Sequence, residues 1–341
     1  MTNKKLQVAL VGVRGFAAAR RKLMRKTGLF DFVAAYNRSM EPALALQEKE
    51  GIRATSSYKE LLDLPGIEAV IICSGAKFHA EQILQALDRG YHVFVEKPLC
   101  STSQEMQLLL DAQHHSGLVV GVGHCDHTSD AKSKTIKRLI EDGSLGTVAA
   151  FDAMTSHTGG LLINPGDWRA DPDKNPGGML FQCGVHKLHE LMFYFGPVVR
   201  VSARMRYDVH STATADVAIC HLEFENGVIG SLNAYHVVPY CHRLNIFGTS
   251  ANLYRDDRFF DEGTTIRIQR EDHHNRGVKE PIEDVEITGE TDVTGNLRSF
   301  YRAVRAGSVP YPSLVDGARA VEIIFAAEKS ARTNQVIDIR K

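Results

Sequence analysis

No apolar run in the 341 residues reaches the roughly 18–20 residues that a membrane-spanning helix needs. The six cysteines, at 73, 100, 125, 183, 220 and 241, contain no CxxC pair. That scatter excludes a Cys-rich zinc module or a disulfide framework and fits reduced thiols in a cytoplasmic protein. Neither sign of charge is in excess: 40 Lys and Arg stand against 41 Asp and Glu, a net charge of −1. The densest basic cluster is Arg20-Arg21-Lys22. A nucleic-acid footprint needs a concentrated basic face, so that class is set aside. The first residues, Met1 to Lys5, lead straight into a strand and lack a signal-peptide apolar region.

With 43 % hydrophobic and 24 % charged residues, the chain has the composition of an ordinary globular protein. Its length exceeds what one small core serves, so two domains are expected, at 1–124 and 125–341.

The most informative stretch is Tyr91-His92-Val93-Phe94-Val95-Glu96-Lys97-Pro98-Leu99. It reads as a buried strand over 92–95 that ends on a charged pair and a proline. Open α/β sheets keep their chemistry at the carboxyl ends of the strands. A corner of this kind delivers the Lys97 ammonium to a cleft mouth, with proline fixing the turn.

Strand-like and helical patterns alternate before and after it. Residues 6–11 are nearly all apolar and end at Gly12, and a helix is expected over 17–26. Strand, glycine turn and helix together offer backbone N–H groups to a pyrophosphate. The fingerprint Gly12-Val13-Arg14-Gly15-Phe16-Ala17 keeps the first glycine, puts arginine at the second and closes on alanine. Gly15 lets backbone approach the phosphates, and Arg14 adds a charge-assisted contact to them. The second strand, 32–36, ends at Asn37-Arg38-Ser39. An acid there suits the ribose hydroxyls of NAD, an arginine the 2′-phosphate of NADP. Asn37 lacks the charge that repels phosphate, so the corner leans to NADP. Helices at 58–64, 80–89 and 103–115 and strands at 68–73 and 118–122 complete a doubly wound parallel sheet that closes near residue 124.

Beyond it the pattern changes. A helix near 132–141 and a strand reaching 153 precede a long irregular segment holding His157, Trp168-Arg169 and Asn175-Pro176-Gly177-Gly178. Such length marks a substrate-facing loop. A helix over 182–195 follows, then strand-like runs at 198–207, 215–225, 227–236, 242–248, 251–254 and 264–270. Asn226-Gly227 marks a hairpin, and the sheet is expected to be mostly antiparallel. Residues 271–292 carry little signal. Helices near 295–306 and 314–332 and a strand at 336–339 close the chain.

On the 182–195 helix, Gln182, His186 and His189 share a face. An imidazole and an amide suit proton transfer with a substrate hydroxyl and its orientation. A lone histidine is more often a hydrogen-bonded core residue. A metal bound by His186, His189 and Glu190, serving a hydrolase or lyase, is a rival. Their spacing is not HExxH, and Glu190 points about 100° away from His189 on a helix. No metal is expected.

These residues together resemble the Gfo/Idh/MocA family of NAD(P)-dependent oxidoreductases over nearly the whole chain. The carriers are Ala86 and Gly90, His92-Val93, Val95 and Glu96-Lys97-Pro98-Leu99, with the Ser74-Gly75 to His79 turn. Trp168-Arg169 before Gly177-Gly178, Gly184-x-His186, Phe224-Glu225-Asn226-Gly227 and Phe247-Gly248-Thr249 support them. The resemblance implies a Rossmann domain followed by an α+β domain with an open-faced sheet, through which the chain forms a homodimer or homotetramer. It implies hydride transfer at a hydroxyl- or carbonyl-bearing carbon of a sugar or polyol, with NAD or NADP. Lys97 matches the lysine that contacts cofactor and substrate, and His186 the histidine acid/base. Taken with the residues read above, the candidate cofactor set is Gly12, Arg14, Gly15, Phe16, Ala17, Asn37, Arg38, Ser74, Gly75, His79, Glu96, Lys97, Trp168 and Arg169. The substrate set is Lys97, His127, His157, Arg169, Gln182 and His186. Gln182, His189, Ser74-Gly75-Ala76 and His127 depart from the usual aspartates, Thr-Pro-Asn and arginine of the family. They suggest a divergent branch and leave open a non-catalytic sensor or assembly subunit, whose mark would be loss of the lysine or histidine.

Overall fold

A computed structural model describes residues 4–257, 265–270 and 281–340. The chain forms two compact units, residues 1–126 with 292–319 and residues 127–291 with 320–341.

The first unit holds six parallel strands, β1 (Leu6–Val11), β2 (Phe30–Tyr36), β3 (Arg53–Thr55), β4 (Ala69–Ile72), β5 (His92–Val95) and β6 (Val120–Val122), in the order β3-β2-β1-β4-β5-β6. Helices α1 (Phe16–Thr27), α2 (Met40–Glu50), α3 (Tyr58–Leu62), α4 (His79–Asp88) and α5 (Ser103–Ser116) connect them. β1, β4 and β5 bury nearly every side chain, as strands covered on both faces must. α5 starts on a reciprocal cap, Thr102 accepting from the Glu105 N–H and Glu105 from that of Thr102. Neither α2 nor β3 is anticipated by the sequence pattern, since α2 buries only Ala43 and Leu46.

Residues 292–319, assigned to the second domain on sequence, pack instead in the first unit. There α8 (Gly295–Ala306) puts Leu297, Phe300 and Tyr301 into the core with Leu6, Leu10 and Ile71. Phe300 lies edge-on to Phe94 at 5.5 Å, and Tyr301 to Phe30 at 6.1 Å. Gly121 of β6 makes room, for a Cβ there would meet Phe300 at 3.1 Å. Burying one such aromatic contributes about 1.5–3 kcal/mol.

The second unit is built on nine strands in the order β14-β13-β12-β11-β7-β10-β9-β8-β15. These are β7 (Val148–Ser156), β8 (Val198–Arg206), β9 (Val217–Phe224), β10 (Ile229–Tyr235), β11 (Cys241–Gly248), β12 (Ala251–Asp257), β13 (Thr265–Arg270), β14 (Ile282–Asp284) and β15 (Ile337–Asp338). Only β7 and β10 pair in parallel; the other pairs are antiparallel, and β9 and β10 join at the Asn226-Gly227 hairpin. α6 (Ala131–Glu141), α7 (Val185–Phe195) and the last part of α9 (Leu314–Thr333) belong here. Phe151, Phe195 and Phe224 form an aromatic cluster at 5.3–5.7 Å. Of the polar stretch 271–292, residues 271–280 lie outside the described residues. No described helix is long and apolar enough to cross a membrane.

Candidate active site

In the first unit the parallel strands all end on one edge. β1 runs into Gly12, β2 into Asn37, β4 into Cys73-Ser74 and β5 into Glu96-Lys97. The strand order reverses between β1 and β4, the switch point at which such sheets bind ligands. Gly12 sits there at φ +79°, and a Cβ on it would meet the Ser74 backbone nitrogen at 3.0 Å. Only glycine fits that approach. Gly15, at φ +61°, has open space where a Cβ would stand, so ligand atoms can reach its backbone.

These features fit a dinucleotide. The Gly12–Ala17 turn would hold the pyrophosphate at the start of α1, and the β2–α2 corner the adenosine ribose. Val13 N–H points at Asn37 Oδ1 (3.4 Å), and Asn37 Nδ2 donates to the Ser39 carbonyl at 2.9 Å. Phe16 is exposed at the head of α1, while Ala17 is buried.

The Lys97 corner is tied down from two sides. Arg20, buried in α1, donates from Nε to Glu96 Oε1 at 2.5 Å, its guanidinium lying over the Phe94 ring at 5.0 Å. Glu96 is itself buried, so its side chain is held within the unit. His79, wholly buried, spans two turns, with Nδ1 2.8 Å from the Pro98 carbonyl and Nε2 2.9 Å from that of Ser74. Burial lowers the pKa of this imidazole, against the raising effect of those carbonyls and Glu96. Ser74 donates to Gln82 at 2.6 Å, Gly75 precedes a 3-10 turn over Ala76–Phe78, and the Lys97–Pro98 peptide is cis. Lys97 is half-buried at the strand end.

In the second unit the expected helix begins as a π-helical turn, Leu180–Gly184, and continues as α7. Gly178 sets its start: φ is +56°, and a Cβ would fall 2.0 Å from the Ala215 carbonyl oxygen. Gln182 and His186 are half-buried, with buried His189 and half-buried Phe193 continuing the stripe. Gln182 donates to Asn175 Oδ1 at 2.8 Å, and Asn175, wholly buried, donates to the Arg169 carbonyl at 2.8 Å. Arg169 pairs with Asp167 at 3.2 Å and covers the Trp168 ring at 4.7 Å. His157 accepts from the Gly159 N–H at 2.9 Å, and its Nε2 lies 3.5 Å from Cys183 Sγ. The His236 ring is 5.1 Å from it, and burial, then the charge of His157, pulls His236 down to about 4.

His127 packs against the rings of His189 (5.1 Å, tilted) and Phe193 (5.5 Å, stacked), with Nδ1 2.9 Å from Ser133 Oγ, which donates to Asp130 at 2.7 Å. Burial lowers His127, and burial with the charge of His127 takes His189 down to about 3. Glu190 faces inward, where Lys187 Nζ (2.8 Å), the Tyr194 hydroxyl (3.1 Å) and Arg255 engage it. Burial alone would raise Glu190, but the Lys187 and Arg255 cations hold it well below the carboxylate range. Glu190 is thus committed to two cations, away from the metal role weighed for it with His186 and His189. Among the described residues no three His, Cys, Asp or Glu converge as metal ligands.

Arg20, Asn175, Cys183 and His236 are absent from the site residues that the sequence suggests. For Arg20 a signal existed: it falls between Ala17 and Met24 on the buried stripe of α1. Asn175 and His236 meet their partners only through the fold.

Residues 6–124 match the oxidoreductase family with NAD-binding Rossmann fold, GFO_IDH_MocA, and residues 133–254 its C-terminal domain. The chain is similar to scyllo-inositol 2-dehydrogenase (NAD(+)) of Bacillus subtilis, 24 % identical over 82 % of this chain and 80 % of that one. It is similar also to 1,5-anhydro-D-fructose reductase of Ensifer adhaerens, 23 % identical over 93 % of each. A solved structure from Desulfitobacterium hafniense shares the fold, with TM-score 0.90 at 24 % identity over 98 % of both chains.

Proposed function

The chain belongs to the GFO/IDH/MocA family of oxidoreductases, and on that premise we propose that it oxidises or reduces a sugar, polyol or related small molecule at a hydroxyl- or carbonyl-bearing carbon, using NAD or NADP. The observation that carries this reading is the strand order of the first unit, which brings Gly12, Ser74 and Lys97 to one edge at a topological switch point. The relatives named above act on an inositol and an anhydrofructose, which supports a neutral polyhydroxy substrate here.

Bound nicotinamide supplies the hydride acceptor or donor. The chain's own residues manage the proton and the orientation. In the oxidising direction His186 takes the proton of the reacting hydroxyl. Lys97 steadies the developing alkoxide, its position fixed by the Arg20–Glu96 and His79 contacts. Gln182, Arg169, His157 and His127 orient the remaining hydroxyls. Arg169 shares its charge with Asp167, which suits hydroxyl recognition better than capture of an acid. We assign the protein to the cytoplasm, where thiols stay reduced, since no disulfide joins its six cysteines.

The test is turnover of scyllo-inositol, myo-inositol and 1,5-anhydro-D-fructose by the wild type, Lys97→Met and His186→Ala. Each variant should lose at least about 100-fold in turnover and keep its cofactor affinity largely intact by calorimetry. Unchanged turnover in both would remove these roles. Cofactor binding without turnover of any polyol in the wild type would favour the sensor or assembly subunit.

A further inference from the structure

Cys183 lies in the π-helical turn Leu180–Gly184, between Gln182 and the start of α7. A turn of this kind inside a helix frequently marks a functional position. Here it brings a thiol to an imidazole. His157 Nε2 stands 3.5 Å from Cys183 Sγ, within hydrogen-bonding range of sulfur. The other ring nitrogen sets which way that contact runs. Nδ1 accepts the Gly159 N–H at 2.9 Å, so the neutral ring carries its proton on Nε2 and donates toward sulfur.

The ring is also held from outside. A Cβ on Gly159 would stand 2.6 Å from Nδ1 and Cε1 of His157, so glycine is what lets the imidazole close over the turn. The buried His236 ring packs edge-on at 5.1 Å. Gly160 N–H donates to the His236 carbonyl at 2.8 Å, which ties the loop to the residue after β10.

Other thiols of the chain stand in contrast. Burial pushes Cys100 above the usual thiol range and Cys220 up to about 12, so both stay protonated and inert near neutral pH. Cys183 is half-buried, within reach of small reagents. It faces an N–H donor, which favours the thiolate, the form that attacks.

We propose that Cys183 is a modification site, a thiolate held by the His157 N–H that peroxides oxidise and soft electrophiles alkylate, with substrate excluded once it is modified. A peroxide alone balances the oxidation. The sulfur attacks one peroxide oxygen, the S–O bond forms as the O–O bond breaks, and hydroxide leaves to be protonated by water. Sulfur loses two electrons and becomes a sulfenic acid, and the peroxide is reduced. An added thiol reverses the change through a mixed disulfide, and the oxygen leaves as water. The modified sulfur stands against His157, next to Gln182 and three residues before His186. Its cost therefore falls on substrate turnover. That consequence rests on the function proposed above; the reactivity of the thiol does not.

Alkylation of the intact chain, mapped by peptide mass spectrometry, tests the pair. With iodoacetamide at neutral pH, Cys183 should react at least about tenfold faster than Cys100 and Cys220. His157→Leu should slow Cys183 about tenfold. Gly159→Ala should slow it too, since it keeps the imidazole but pushes it off the sulfur. Continued protection of Cys220 reports that each variant is folded. After hydrogen peroxide, dimedone should be captured at Cys183. Turnover should fall with peroxide and return with dithiothreitol, while Cys183→Ser keeps its turnover through the same treatment. Cys183 reacting no faster than Cys220, or at an unchanged rate in both variants, would overturn the proposal. Peroxide that leaves no dimedone adduct at Cys183 would overturn it as well. Equal loss of turnover in Cys183→Ser would overturn the exclusion of substrate. A wild type that turns over no polyol strikes the proposed function instead, and alkylation and dimedone capture still decide the reactivity.

Discussion

Arg20 donates from Nε to Oε1 of Glu96 at 2.5 Å, and each side chain is less than a tenth exposed. A residue on α1 therefore holds the one that precedes Lys97. Removing either partner leaves a buried charge uncompensated, which costs about 3–5 kcal/mol. Glu96→Gln and Arg20→Met should each lower the urea midpoint markedly. The double variant should recover part of the loss, because both charges are gone. Losses that simply add would mean that the two side chains are not coupled.

The Gln182–Asn175 contact has a fixed polarity. Asn175 donates to the Arg169 carbonyl, so its Oδ1 faces Gln182, and Gln182 must use its NH2 group there. Gln182→Glu would set acceptor against acceptor beside a buried amide, at a cost of about 1–3 kcal/mol. Gln182→Glu/Asn175→Ala removes the opposing oxygen and should be more stable than Gln182→Glu alone by thermal melting. It also places a carboxylate one turn before His186. The acidic limb of kcat/KM should then shift upward by about one pH unit, since a nearby negative charge favours the imidazolium. An unmoved limb would separate Gln182 from the acid/base group.

Much of this architecture is legible in the sequence because it is local. The apolar run of β5, the glycine after β1 and the strand–helix alternation read off one by one, and β5 and β1 fall on the expected residues. What could not be read depends on distant partners. Phe300 enters the first core because Gly121, 179 positions earlier, leaves it space, and no periodicity in either segment says so. The direction of Arg14 is likewise set by Glu41 on another element. Gln182, His186 and His189 fall on one helical segment, as expected, while the π-helical turn at its start has no signature in the sequence. Glu190 and Lys187 carry an i,i+3 signal, yet only packing shows that it is buried and joined by Arg255.

Three histidines, two buried and one, His242 of β11, half-buried, make the second unit sensitive to acid. Burial, with neighbouring charges, takes His189 to about 3 and His236 and His242 to about 4, from 6.5 in the unfolded chain. Between pH 6.5 and about 4 the unfolded state binds more protons, so stability rises with pH across that window. It is fully present above pH 6.5 and is lost as pH falls toward the folded values. Each histidine contributes a slope of about 1.4 kcal/mol per pH unit there. Urea melts at pH 7, 6 and 5 should show a falling midpoint, and His189→Gln should flatten the slope by about one proton. A midpoint independent of pH would mean that these rings are protonated in the folded state.

The face of the second sheet away from its core carries a polar cluster. Asp152 of β7 accepts from Ser231 at 3.0 Å and Asn233 at 3.3 Å on β10, and pairs with Arg243 of β11 at 3.2 Å. These side chains are half-exposed and alternate with buried neighbours along their strands. We propose that this face joins copies of the chain as a homodimer or homotetramer, which requires about 1,200 Å² or more of buried surface. Around a two-fold axis a residue meets the same patch on its partner, so one substitution acts twice. Asp152→Arg sets a second guanidinium beside Arg243 and should shift the protein toward monomer in sedimentation velocity, with far-ultraviolet circular dichroism unchanged. A wild type that sediments as a monomer would remove the interface, and an oligomer indifferent to Asp152→Arg would move it to another face.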